Sequence, residues 1–270
     1  MISVSIYTVC GYDIDVLHQR QLEIAIEIDR ICRENGIKYS LYGGSIIGAV
    51  RHNGFVPWDH DIDICMPRKD YEKFRKYCKK NLNNNFFFSN YYSEKKYPNN
   101  WGKMRSTYTV FQECELEGLD IHNGVFIDVH PIDNIIPIFL KLQVKLASFW
   151  ACVHHVKVGM EYPKNFKKFI YKIFGILPLS VINFNRDISM KLFDWLPTKY
   201  VYKICHPNGG IYPIERETFE NLTEHKFENQ IFFIPQNYDE FLRKRYGNYM
   251  EYPPEANETE CCTTITKCKL

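Results

Sequence analysis

The chain has 270 residues, of which 45% are hydrophobic and 24% charged, and its formal net charge is +2. That length suits one large domain or a domain with an appended half, and the composition excludes a disordered chain. A net charge so close to zero argues against a general nucleic-acid binder, so no nucleic-acid partner is expected.

The first predicted element is a helix over Leu17 to Asn35. Leu22, Ile24, Ile28, Ile31 and Cys32 recur at helical spacing, and Asn35-Gly36 makes the stop. Ile37 to Tyr42 reads as a strand that Gly43-Gly44 breaks. Ser45 can cap a short helix begun by Ile46, Ile47 and Val50. Asn53-Gly54 and Pro57 mark a turn, Asp61 to Met66 reads as the second strand, and Pro67 hands over to a helix from Arg68 to Asn81. Strand-like runs follow at Phe86 to Asn90, Ser106 to Glu113 and Gly124 to Pro131. The region from Ile135 to Leu196 is mainly helical in pattern, broken by Gly159, Pro163 and Pro178. Beyond it lie short strand or loop pieces, including "HPNGGIYP", a helix from Tyr238 to Tyr246, and a polar, cysteine-bearing tail expected to be loosely ordered. This order describes an α+β fold with a mixed β-sheet core flanked by helices and a mainly helical second half. The expected divisions are a core over 1–135, a helical and mixed region over 136–255, and a tail over 256–270.

Ten cysteines form no CxxC pair and no Cys/His zinc spacing, and no basic-then-apolar leader opens the chain. Reduced, mostly buried thiols and a cytoplasmic location are expected. No segment reaches the ~18 uninterrupted apolar residues of a spanning helix. The stretch "KNFKKFIYKIFGILPLSVINF" interleaves Lys164, Lys167, Lys168 and Lys172 with Phe166, Phe169, Ile170, Ile173 and Phe174. It reads either as a basic amphipathic helix on the inner face of an anionic membrane or as a core-facing helix with a solvated lysine edge.

The chemistry concentrates in "WDHDIDICMP". Strand residues two apart share a face at a spacing of roughly 6.6 Å, so Asp61 and Asp63 project together while Ile62 and Ile64 turn to a core. Two such carboxylates repel unless a cation lies between them, and hard oxygen ligands select Mg²⁺, Mn²⁺ or Ca²⁺. Asp128, flanked by Ile127 and Val129, is the candidate third carboxylate, because a bare charge in mid-strand is expensive. A loop of solvated acids is the plain alternative. An EF-hand fits Asp59, Asp61, Asp63 and Asp70 at its ligand spacing but needs a tight turn where Ile64 stands. The Gly43-Gly44-Ser45 turn, where a strand meets a helix, can bring backbone N–H groups up to a phosphate. Turn and acidic strand together suit metal-assisted phosphoryl transfer.

The segment "YGGSIIGAVRHNGFVPWDHDIDICMPRKDYEKF" resembles the core motif of the LicD family, whose members have the nucleotidyltransferase fold and include bacterial phosphocholine transferases. Fukutin and fukutin-related proteins, which transfer ribitol phosphate, are its more distant relatives. "CRENGIKYSLYGG", "WGKMRSTYTVF", "GVFIDVHPID" and "LRKRYGNYMEYPPE" are similar to further segments of that family. The resemblance implies Mg²⁺ or Mn²⁺ held by Asp61, Asp63 and Asp128, which would be the catalytic set, with Asp59 joining directly or through water. It implies a donor phosphate cradled by Gly43, Gly44 and Ser45 and neutralised by Lys103 and Arg105, with help from Arg51. For Arg51 and Arg68 an equal alternative is structural, orienting the acidic loop by ion pairing. The middle acid of the bacterial Trp-Asp-Asp-Asp pattern is His60 here. On the strand pattern it points away from Asp59 and Asp61, which makes it neither an essential ligand nor the expected base. The implied reaction moves a phosphoalkyl group, phosphocholine first, from a cytidine diphosphate (CDP) donor to a hydroxyl of a cell-surface glycan or glycolipid precursor, releasing cytidine monophosphate (CMP). Trp58 and Trp101 could wall a choline head group. Ribitol, glycerol or ethanolamine donors, nucleotidyl transfer, and a non-catalytic glycan-binding role on the same scaffold stand as alternatives.

Overall fold

The structure is a computed structural model that describes residues 7–160, 166–206, 210–252 and 265–270. Lys164, Pro207 to Gly209, the Pro253-Pro254 end of the C-terminal motif and residues 256–264 of the tail lie outside them. A small hairpin, β1 (Thr8–Val9) and β2 (Tyr12–Asp13), leads into helix α1 (Ile14–Asn35). Asp13 caps α1 by accepting from the Asp15 N–H at 3.0 Å, and Gly36 closes it at φ 58°, where an L side chain would be strained. Strand β3 (Ser40–Leu41) is shorter than the apolar run suggested. A single turn, α2 (Gly44–Ile47), continues as a wide turn over Gly48–His52.

Strand β4 (Asp63–Pro67) hands over at Pro67 to helix α3 (Arg68–Asn81), which begins and ends where the sequence placed it. Then come β5 (Phe86–Ser89), β6 (Gly102–Ser106), β7 (Val110–Glu113) and the long β8 (Phe126–Ile135). The run expected as one strand from Ser106 to Glu113 is thus the end of one strand, a turn and a second strand. Helices α4 (Leu140–Val158), α5 (Phe166–Phe174) and α6 (Leu179–Met190) make up the helical region. The chain continues through β9 (Tyr200–Tyr202), β10 (Ile214–Glu215), α7 (Glu217–Glu220), the hairpin β11 (Leu222–Phe227) and β12 (Gln230–Pro235), and α8 (Tyr238–Tyr246). The tail is partly ordered, contrary to expectation: β13 (Ile265–Lys269) pairs antiparallel with β7.

The main sheet is mixed. β4 runs parallel to β8, while β3, β5, β6, β9 and β10 join antiparallel, in agreement with the expected α+β class. β8 holds β4 on one side and β6 on the other through its first half, and passes to β9 through its last residues. One face carries Ile64, Met66, Met104, Ile127 and Val129, all fully buried. Each such side chain removed from water contributes about 1.5–3 kcal/mol. α3 covers this face by packing Phe74 edge-on against Phe88 of β5, with ring centroids 5.2 Å apart. The other face is left for chemistry.

Candidate active site

Register places the key side chains. Asp63 of β4 stands opposite Asp128 of β8, which stands opposite Lys103 of β6, so the three form a row across the site face. One step further along, Cys65 pairs with His130, two residues beyond Asp128 on the same face. Asp63, Asp128 and His130 offer ligand atoms that all lie within 4.8 Å of one another.

Asp59 and Asp61 precede the strand rather than belong to it, so strict alternation does not govern them. The backbone of this approach is pinned by α1: the His18 ring nitrogen Nε2 is 2.7 Å from the Asp59 carbonyl, and Gln21 donates to the His60 carbonyl at 2.8 Å. His60 consequently does not point away. It lines the same cavity as Asp61, Lys103 and Asp128, with Nδ1 4.0 Å from Asp59. The glycine turn lies against the acids. A Cβ on Gly44 would come within 2.9 Å of an Asp59 oxygen, and one on Gly43 within 3.6 Å of Asp63 and 3.2 Å of the Tyr246 hydroxyl. Gly43 also has φ 59°, so it is needed for both its space and its backbone. Ser45 Oγ accepts from the Asp63 N–H at 2.8 Å, which ties turn to strand.

The electrostatics are those of a crowded anionic pocket. Burial, then the fields of Asp59, Asp63 and Asp128, pushes the Asp61 carboxyl well above the usual carboxylate range, and burial also raises Asp59. Burial would raise Asp63 as well. The His130 ring, 3.0 Å away, together with Lys203 and His206, outweighs it and brings Asp63 down to about 2. Burial, then Lys203, holds His130 below its ordinary value, in the neutral form a metal ligand requires. Asp128 Oδ1 is buried without a hydrogen bond, although the Lys103 ammonium stands 3.3 Å away. An under-satisfied carboxylate, a second carboxylate and a neutral imidazole converge on one point, so the donor set fits a divalent cation. Asp63, Asp128 and His130 would hold it, with Asp61 beside them.

The other expected contacts divide. Lys103 reaches the site, between Asp128 and Glu113 (2.8 Å). Arg105 does not: it is buried against the Gly124 carbonyl and Glu113 and serves to hold Glu113 in place. Arg51 also departs from expectation. It donates to the carbonyls of Tyr249 and Glu251 and lies over the rings of Trp58 and Tyr252, so here it fastens the C-terminal segment. Trp58 belongs to that aromatic cluster and does not line the cavity. Trp101 does, stacked on His206 with centroids 4.4 Å apart. Arg68 is structural, paired with Asp133 at 2.6 Å, away from the acidic loop.

Three groups had gone unselected in the sequence. His130 sits in the quoted "GVFIDVHPID", where period-two spacing from Asp128 was the available signal. Lys203 and His206 come from "VYKICHP" after β9 and carried none. Lys203 is buried, with its Nζ 4.9 Å from the Tyr42 ring centroid. No carboxylate lies within ion-pair distance of it among the described residues. Of the three, His206 lines the cavity beside Asp61, Lys103 and Asp128. That cavity holds about 450 Å³. Its far wall is α4, through Ser148, Cys152 and His155. Arg186 of α6 braces another wall by donating to Asn100 Oδ1 and to the Pro98 and Asn99 carbonyls at 2.7–2.9 Å.

Residues 36–137, which contain the glycine turn, the acidic loop and β8 as far as Asp128 and His130, match the family LicD/FKTN/FKRP, nucleotidyltransferase domain. The chain carries a LicD-family nucleotidyltransferase domain. It is also 25% identical over 243 residues to the lipopolysaccharide cholinephosphotransferase LicD of Haemophilus influenzae, spanning 84% of this chain and 88% of that protein. The chain is thus homologous to a transferase along most of its length. A short segment of 29 residues is 52% identical to the human ribitol 5-phosphate transferase FKRP, covering 11% of this chain and 6% of that protein. Another of 37 residues is 46% identical to an uncharacterized protein of Rickettsia prowazekii, covering 14% of each. The LicD-family domain thus coincides with the part of the fold that brings Asp61, Asp63, Asp128, His130 and Lys103 together.

Proposed function

We propose that this protein transfers a phosphoalkyl group, phosphocholine foremost, from a CDP-linked donor to a hydroxyl of a cell-surface glycan or glycolipid precursor. The observation that carries the reading is the row Asp63–Asp128–Lys103 with His130 beside it, in a chain similar along most of its length to a lipopolysaccharide cholinephosphotransferase. A divalent cation, Mg²⁺ or Mn²⁺, would supply charge stabilisation for the phosphoryl oxygens.

The chain's own residues do the rest. Lys103 and Lys203 bring positive charge to the donor phosphates, and the Gly43-Gly44 turn allows close backbone approach. Asp128 accepts the proton of the acceptor hydroxyl. That oxygen attacks phosphorus in line, the bond to the CMP oxygen breaks, and CMP leaves. Trp101 offers a ring face to the quaternary ammonium of choline.

The test is to incubate the protein with Mg²⁺ and a panel of CDP-alcohols and measure CMP release. CDP-choline should be turned over, activity should vanish with a chelator, and added Mg²⁺ or Mn²⁺ should restore it. Retention of the cytidine nucleotide on the acceptor would overturn the reading in favour of nucleotidyl transfer.

A further inference from the structure

The exposed large apolar side chains are not scattered. Of the 23 in the described residues, 14 lie between Ile138 and Trp195, on α4, α5, α6 and their flanks. Scattered single apolar residues are ordinary at a protein surface, whereas a concentrated patch marks an interaction site.

The patch has helical order. Before and along α4, Ile138, Leu142 and Leu146 recur every four residues, each exposed. On α5, Phe166, Phe169 and Ile173 are 76%, 60% and 49% exposed, and no residue of that helix is buried. The core-facing alternative for this stretch therefore fails. On α6, Val181, Phe184 and Ile188 form an outer stripe while Ile182, Arg186 and Met190 turn inward. The helices are joined to one another, since Phe149 and Trp150 of α4 meet Phe174 of α5 edge-on.

The charge around this surface is predominantly positive. From Ile138 to Trp195 the sequence contains eight lysines and one arginine against three acids, Glu161, Asp187 and Asp194, and Asp187 pairs with Lys191. Lys141, Lys145, Lys157, Lys167 and Lys172 are exposed. Aromatic and aliphatic side chains flanked by lysines suit a bilayer interface bearing anionic head groups, where the rings enter the head-group boundary and the ammonium groups stay with the phosphates. None of the described helices is long and apolar enough to cross a membrane, so the contact is one of lying on the surface.

We propose that α4, α5 and α6 form a docking face for an anionic lipid bilayer. α4 is the wall between bilayer and cavity. At 100° per residue, Leu142 and Leu146 point about 130° away from the Ser148, Cys152 and His155 side that lines the cavity. The inference rests on exposure and charge and does not depend on the reaction proposed above.

The experiment is flotation of the full chain with vesicles of phosphatidylcholine alone and of phosphatidylcholine mixed with phosphatidylglycerol. Binding is expected to the mixed vesicles only, and added salt should weaken it. Two variants separate the contributions: Phe166→Ser with Phe169→Ser and Ile173→Ser, and Lys167→Glu with Lys172→Glu. Each should lower the bound fraction about tenfold. Circular dichroism should be unchanged, because α5 buries no side chain. Should the serine variant misfold, the charge-reversal pair, which leaves the rings intact, decides alone. Absence of flotation with the mixed vesicles overturns the proposal, as does binding that the folded variants leave unchanged. A dimer in light scattering that the serine variant dissolves also overturns it, since a second copy of the chain would then cover the face.

Discussion

The Asp61 charge is strongly opposed. Burial and three neighbouring carboxylates all resist its ionisation, so a neutral isostere should relieve strain even as it removes a carboxylate beside the cation site. Asp61→Asn is expected to hold or raise the melting temperature while CMP release falls about 10³-fold, the equivalent of several kcal/mol of lost charge stabilisation. Calorimetry and the release assay together check it; a fully active variant refutes the role. Lys203→Met should lower kcat/KM about 10²-fold, with partial rescue in Lys203→Arg, if this buried ammonium serves the donor phosphates. At this scale the sequence revealed the acids because a carboxylate between Ile62 and Ile64, or between Ile127 and Val129, has no cheap structural reason to be there. Lys203 stayed invisible because its value comes from neighbours far along the chain. Arg51 and Arg105 are hard to place from sequence for a related reason. Positive charge near an acidic motif suggests a phosphate, but one guanidinium had backbone carbonyls to hold and the other had Glu113.

Strand β6 shows what alternation can miss. All five of its residues are buried, two of them being Lys103 and Arg105. A buried strand with charges on its site face looks like a loop to any pattern that expects polar groups outside, and so the run was placed too late, from Ser106. Its charges are tolerable because Glu113 of β7 answers both, lying 2.8 Å from Lys103 and 3.3 Å from Arg105. The two cations in turn hold the Glu113 carboxyl below its ordinary value against the pull of burial. Glu113→Gln would leave two buried cations under-compensated and should cost about 3 kcal/mol, read as a lower urea midpoint. Activity should fall too, since Lys103 would lose the partner that sets its position beside Asp128. Helices α3 and α8 were legible to the residue, where a proline boundary and regular apolar spacing define them, and α1 at its Asn35-Gly36 stop, although it begins three residues earlier than expected, at Ile14.

At the scale of the whole molecule, acid should unfold the protein earlier than its carboxylates alone would require. Burial, then the field of Arg186, lowers the α4 histidines, His154 to about 2 and His155 to about 4. Below the ordinary histidine value of about 6.5 the unfolded chain takes up protons that the folded chain refuses. The stability these neutral rings lend is therefore fully present above pH ~6.5 and is lost as pH falls towards about 4 for His155 and further for His154. Each contributes up to about 1.4 kcal/mol per pH unit in that window. Urea denaturation between neutral and mildly acid pH should show this slope, and His155→Gln should flatten it. The mixed sheet and helical second half followed from element order alone. The pairing of β13 with β7 did not, because a short polar run acquires strand character only from the edge it meets.

The parallel pairing of β4 with β8 has a consequence for how the protein is made. Asp63 and His130 are 67 residues apart along the chain, and no hairpin brings them together. The loop between them must close, against its own entropy, before the acidic pocket exists. A nascent chain that has not yet released β8 holds half a site. Divalent ions should then do little for the rate at which the protein folds and much for the rate at which it comes apart, acting as a latch on a finished sheet rather than a seed for it.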